Sequence, residues 1–320
     1  MPAPPTIASI PTSYGDAQAE YAALRDGCAI DRVAPRMMLA LDDRSELGRL
    51  EGRLVPRPLA ADGACRIALL LNEDGLLTSC LTILDDGASG ALVDASNPTA
   101  EAVFAGAGIG FAARRGEVVR IRLRGPRAVA VLTGFSRATP TSVGGVATDA
   151  EIGELPVRIA RTGPERAAIY CELPAARRTW DTLVAAGALP VGSAALETVR
   201  IEDAEPCLER DFSNPVTTTE AGFVEFGGEP TGDRVLVLVE YGGEVPHERA
   251  TIYVGDEAIG DLRSSAWSVL RSGRPVGLAR MAVAPAVPGA AVEIGSGARR
   301  VPGTVVRRAS LPASLVAPNY

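Results

Sequence analysis

No stretch constrains the fold of this chain more than Trp180 to Phe226. Trp180, Leu183 and Val184 fall one helical turn apart, which predicts an amphipathic helix, and Gly187 is placed to end it. A turn at Pro190–Gly192 leads to a second predicted helix, Ala194 to about Glu202, which carries Arg200 and Glu202. A loop follows, and then Thr217-Thr218-Thr219-Glu220-Ala221-Gly222. Strand-like segments lie on both sides of these helices, so the chain reads as α+β.

The rest of the chain must build its core without many rings. Aromatic residues make up 4% of the 320, leaving Ala, Val, Leu and Ile to fill two or three domains. A net charge of −7 and a pI near 5.0 argue against broad binding of nucleic acid or acidic membranes. Every basic residue is arginine, which removes Schiff-base, phosphate-loop and general-base lysines together. Five widely spaced cysteines without a C-x-x-C pair point to a reducing, cytoplasmic setting. The Pro-rich N-terminus reads as neither signal peptide nor anchor, and no apolar run approaches the ~20 residues of a membrane helix. A single histidine, His247, rules out a two-histidine metal site, so no metal is expected.

Taken in order, a helix capped by Asp16 and ended by Gly27 comes first, then a strand at Met37–Leu41. Residues 44–54 are expected to be helical. Arg66 to Gly75 reads as a buried strand running into a turn, followed by strands Leu76–Leu84 and Ala91–Asp94 joined through Asp85-Asp86-Gly87. Gly116 to Val131 reads as strand then helix, joined by Arg124-Gly125-Pro126. Strands at Leu155–Ala160 and Ala168–Leu173 precede the helix at Trp180. Gly106 to Gly110 is a glycine-rich turn without the spacing of a dinucleotide site. After a turn-rich linker at 227–233, short strands alternate with Gly/Pro turns: Val235–Tyr241, Ala250–Val254, Ala258–Leu262, Gly277–Val283, Ala291–Ile294 and Val301–Val306. That spacing predicts a small β-barrel.

The order of these segments resembles the glycine-cleavage T-protein (aminomethyltransferase) family. Val199-Arg200-Ile201-Glu202 stands where that family has L-R-L-E, and Glu220-Ala221-Gly222 matches its second E-A-G. Leu71-Asn72-Glu73-Asp74-Gly75 matches "LNedG", Val93-Asp94-Ala95-Ser96-Asn97 resembles "vvNAsN", and Ile259 to Ser268 parallels the barrel segment "vGevtSGt.sP". Arg25, Gly27 and Asp31 are kept in an early motif, whose Ser-His pair has become Ala34-Pro35. The match runs from about residue 18 to 307. It implies a T-protein-like multi-domain cloverleaf, with a folate-binding region at 1–226 (two interleaved α+β subdomains) and a C-terminal β-barrel domain at 234–320.

The resemblance also implies tetrahydrofolate as cofactor, held in a channel between domains. The family's pterin-clamping glutamate aligns with Tyr170, and Glu172, on the same strand face, is either a displaced clamp or a solvated edge residue. The family's two catalytic aspartates align with Ser79 and Cys80, and Asp94 is the substitute carboxylate that the neighbouring strand offers. Arg200, Glu202, Trp267 and Arg300 complete the cofactor candidates, each with a packing or surface role as its alternative. The lost aspartates point to a one-carbon transferase, methyl or aminomethyl, with a small-molecule methyl or amine donor other than the glycine-cleavage intermediate. The alternative is a non-catalytic folate binder or scaffold with a protein partner, as in an iron–sulfur assembly or amine-oxidase system.

Overall fold

The computed structural model describes residues 10–33, 37–50, 52–55, 65–85, 90–114, 116–135, 147–213, 215–223, 232–243, 249–296 and 299–310. Ala34-Pro35, the turn at 86–87, His247 and most of the expected linker at 227–233 lie outside them. The described chain forms two compact units. One takes in residues up to Asn72 and Ser79–Leu196, the other Glu73–Thr78 and the chain from Glu197 onward.

The strands of the first unit are, in order, β1 (Ala29–Val33), β2 (Met37–Leu41), β3 (Leu54–Val55), β4 (Cys65–Leu71), β5 (Leu77–Asp85), β6 (Ala91–Ala95), β7 (Ala112–Ala113), β8 (Val118–Arg124), β9 (Thr148–Ile152), β10 (Leu155–Gly163), β11 (Arg166–Glu172) and β12 (Leu189–Pro190). Its helices are α1 (Ala17–Arg25), α2 (Thr99–Gly106), α3 (Ala128–Thr133) and α4 (Leu173–Ala185); α5 (Ser193–Glu202) runs from this unit into the next. They build two six-stranded sheets, β12-β1-β8-β11-β10-β9 and β3-β4-β5-β6-β2-β7. The α1 start is local chemistry: the Asp16 carboxylate accepts from the Gln18 and Ala19 amides, satisfying two orphan donors. Where a helix was expected over 44–54, a 3₁₀ turn at Arg44–Leu50 gives way to β3, because Leu54 pairs with Leu70.

β8 shows how one sequence serves two layers. In VVRIRLR the residues alternate: Val119, Ile121 and Leu123 pack against α3 and α4 through Ala128, Leu132, Ala176, Trp180 and Leu183. Arg120, Arg122 and Arg124 point to the other face. That face meets the second sheet in a smaller core made by Met38, Cys65, Leu84, Ala160, Ala168 and Tyr170. The second sheet's opposite face packs α2 through Leu39, Ile83, Val93, Ala100 and Phe104. Gly125 closes the β8–α3 turn at φ +105, where a Cβ would stand 2.5 Å from the Gly27 carbonyl oxygen, so a side chain is excluded.

In the second unit α6 (Leu208–Asp211) precedes β13 (Arg234–Tyr241), β14 (Thr251–Val254), β15 (Glu257–Ser268), β16 (Arg274–Ala282), β17 (Ala291–Ser296) and β18 (Arg299–Arg308). They close into a barrel in the order β13-β16-β15-β14-β17-β18. Val235, Val237, Val239 and Tyr241 alternate into its core with Leu262, Met281, Ile294 and Val305. β15 is longer than the five residues expected from sequence, because Ser264 and Ser268 are buried by partners outside the barrel.

Candidate functional site

Two strands of the first unit bring Asp94 and Tyr170 together across 76 residues of sequence. Asp94, on β6 opposite Met38 and Thr82, is fully buried between the sheets. Arg120 Nη1 donates to its Oδ2 at 2.5 Å, and the Tyr170 hydroxyl donates to the same oxygen at 3.1 Å. Arg120 is itself 7% exposed, and its Nε has no hydrogen-bond partner. Burial opposes the Arg120 charge, but Asp94 and Tyr170 outweigh it and hold the guanidinium protonated more firmly than usual. Burial, and then Asp94, push the Tyr170 hydroxyl well above the ordinary tyrosine range. Burial also carries the neighbouring Cys65 thiol up to about 12.

Beside this knot the space between the sheets opens into a cleft of about 420 Å³ lined by Tyr170, Glu172, Arg114, Arg158, Asp149 and Pro156, among others. The size is within the roughly 300–1,000 Å³ of small-molecule pockets. Arg114 holds the rim: it donates to Glu172 at 3.2 Å and to Glu117 at 2.9 Å. The cleft therefore presents two guanidinium groups, of Arg114 and Arg158, and three carboxylates, of Asp42, Asp149 and Glu172, beside Tyr170. Ser79 does not join it. Asp94 faces Thr82, three residues further along β5, so strand alternation puts Ser79 on the opposite face of the sheet, where its hydroxyl meets Ser96 at 3.2 Å.

The other candidates lie in the second unit. Arg200 is engaged through all five of its N–H groups: Nε and Nη2 with Glu197, Nη1 with Asp211 (2.7 Å) and the Glu205 carbonyl (2.8 Å), Nη2 also with Ser264 (2.9 Å). Despite its burial these carboxylates raise its already high pKa. Asp211, fully buried, also accepts from Ser264 Oγ and the Cys207 amide. Glu202 points elsewhere and pins the β15–β16 turn, accepting from Ser268 Oγ at 2.6 Å and the Leu270 amide at 3.1 Å. Arg300 lies over the Tyr253 ring at 3.8 Å and donates to the Gly255 carbonyl. Trp267 lines a separate groove on the barrel.

Sequence reasoning named Asp94, Tyr170 and Glu172 but missed Arg120, Arg114, Arg158 and Asp211. A signal was available for the first: arginines at every second position of an otherwise aliphatic strand mean that one of its faces is not an ordinary core. Among the described residues no group of three His, Cys, Asp or Glu side chains could hold a metal, and no described helix is long and apolar enough to cross a membrane.

Comparison with known proteins agrees with this architecture. Residues 48–226 match the GCVT N-terminal domain, and residues 234–310 match the glycine cleavage T-protein C-terminal barrel domain. An aminomethyltransferase of Thermosynechococcus vestitus is 27% identical over 290 residues, covering 81% of this chain and 78% of that protein. One from Bacillus cereus (strain AH187) is 26% identical over 59% of each chain. The crystal structure of the glycine cleavage system aminomethyltransferase T from Bartonella henselae superposes with a TM-score of 0.76 at 20% identity, over 93% of this chain and 90% of that one. With both domain models matched in order and the α+β fold and closed barrel in place, the chain belongs to the glycine-cleavage T-protein family.

Proposed function

We propose that the protein is a tetrahydrofolate-dependent one-carbon transferase that takes a methyl or aminomethyl group from a donor other than the glycine-cleavage intermediate. The observation that carries the reading is the cleft in the first unit, where Tyr170 and Glu172 stand in one lining with Arg114 and Arg158. The lining suits a folate. Glu172 and Asp149 are acceptors for the N–H edge of a pterin, and the two arginines complement carboxylates. When bound, tetrahydrofolate supplies the acceptor for the one-carbon unit.

The chain's own part is binding, orientation and charge. Arg114 holds the Glu172 carboxylate in place, and Arg120 does the same for Asp94, the buried carboxylate nearest this lining in the Tyr170 network. With Ser79 and Cys80 where the family has aspartates, Asp94 is the anion we assign to stabilise positive charge on a donor. On this reading residues 1–226 form the folate-binding region, 234–320 the barrel domain, and the protein works in the cytoplasm on a small-molecule donor.

One observation favours a second reading. Asp94 is sequestered by Arg120 and Tyr170, which suits a folate binder without catalysis, or a scaffold with a protein partner, as well as it suits a transferase. Calorimetric titration with tetrahydrofolate and 5-methyltetrahydrofolate separates these cases. Micromolar binding that weakens in Glu172→Gln supports a folate protein, and folate-dependent turnover of methylated amines, lost in Asp94→Asn, supports the transferase. Absence of binding at millimolar folate overturns both folate readings.

A further inference from the structure

The barrel of the second unit carries a groove that the folate reading does not use. The β15–β16 hairpin continues past the barrel end: Trp267↔Pro275 and Ser268↔Arg274 pair beyond Glu240↔Val276, the last pair between β13 and β16. This arm forms one wall, and the corner at Gly242, Gly243 and Pro302–Thr304 forms the other, enclosing about 770 Å³. We propose that this groove is a binding site for a planar aromatic carboxylate, with the ring against Trp267 and the carboxylate on Arg274 and Arg271.

Three features of the groove point to that chemistry. Trp267 is 54% exposed and has no place in the barrel core, so a large rigid apolar face is turned to the groove at the cost of its solvation. Arg271 and Arg274 each donate to a different oxygen of Glu240, at 2.6 and 2.8 Å. Two guanidinium groups on one carboxylate leave one positive charge in excess, and Arg274, 71% exposed, has donors to spare for an anion. Three of the corner's five residues, Gly242, Gly243 and Gly303, carry no side chain. A Cβ on Gly303 would stand 3.1 Å from the Glu240 carbonyl oxygen, so the backbone there cannot be thickened without crowding the strand beneath it.

The wall is also held in advance of any ligand. Glu202 fixes Ser268 and Leu270, and the Gly273 amide closes the turn on the Ser268 carbonyl. A preformed arm loses little conformational freedom on binding. The ring requirement comes from Trp267, the charge requirement from the arginine pair, and the site lies wholly within one unit.

The chain contains two tryptophans, and the other, Trp180, is 3% exposed, so solvent-sensitive indole emission reports Trp267. The full-length protein is titrated with benzoate, cyclohexanecarboxylate and benzyl alcohol, following emission and, independently, ligand saturation-transfer NMR. Benzoate is expected to bind saturably, with each of the other two weaker by roughly tenfold for want of the ring or the charge. Trp267→Leu and Arg274→Gln, both surface substitutions, should each weaken benzoate roughly tenfold, whereas Trp180→Phe retains it. Three results overturn the proposal: no saturation at millimolar benzoate, equal binding by Trp267→Leu, or loss of benzoate through Glu172→Gln, which would move the ligand to the first unit's cleft.

Discussion

Replacing Arg200 with alanine separates a structural clamp from a ligand contact. The guanidinium is 11% exposed and all of its donors are taken within the protein, so truncation leaves fully buried Asp211 without its charge partner. Breaking a buried pair from one side costs about 3–5 kcal/mol. The lower end applies here, because Asp211 keeps Ser264 Oγ at 2.6 Å and the Cys207 amide at 2.7 Å, and Glu197 keeps Arg210 at 3.0 Å. A loss of about 3 kcal/mol raises the unfolded population of this unit by roughly a hundredfold. Urea denaturation of the full chain, followed by circular dichroism, reads it as an earlier transition. Hydrogen exchange at the Cys207 amide, which depends on Asp211, reads it locally. The two-carboxylate clamp would be refuted as the role of Arg200 by an unchanged midpoint together with lost folate affinity.

The other expectations are simpler. Arg120→Met strands Asp94 between the sheets and should cost about 3–5 kcal/mol, with Asp94→Leu in the same chain recovering part of it; additive losses in a denaturation cycle would refute the pairing. The Cys28 and Cys65 thiols, pushed by burial to about 11 and about 12, are expected to resist a thiol-specific disulfide reagent at pH 8 until urea is added. Rapid modification of either in the native protein would contradict their burial. Glu197 is held below its ordinary value of 4.5 against the opposing effect of burial by Arg200 and Arg210, and Glu240 by its bond to Arg274 and then Arg271. Their contribution is therefore complete above about pH 4.5 and lost as pH falls through the lowered folded values. Thermal melts between pH 3 and 6 should show that decline, and it should be smaller in Glu240→Gln.

Much of the fold was legible because local signals and tertiary packing agree. Trp180, Leu183 and Gly187 marked α4, and apolar alternation broken by Gly and Pro marked six strands that do close into a barrel. Disagreement came where long-range partners decide. Residues 44–54 have a helical look, but Leu54 and Val55 find β4, and the strand expected to end at Leu262 runs on to Ser268, where Asp211 and Glu202 supply partners for Ser264 and Ser268. The candidate site was legible residue by residue and not as a constellation. Asp94 and Tyr170 were each marked by position, but their common oxygen contact, with Arg120 between them, depends on how two sheets stack. No spacing along the chain encodes that.

The sealed ring of the second unit has a consequence for how such a domain can change over time. Around the ring each strand is bonded on both sides, and among the described residues the β15–β16 arm, beyond Leu262 and before Val276, runs on without a neighbouring strand on its outer sides. Novelty must enter through the connections, at 255–256, 269–273 and 283–290, where inserted residues leave the ladder untouched. The β15–β16 arm stands where such growth would leave the ring intact, an anvil on which longer arms can be tried at little risk to the whole.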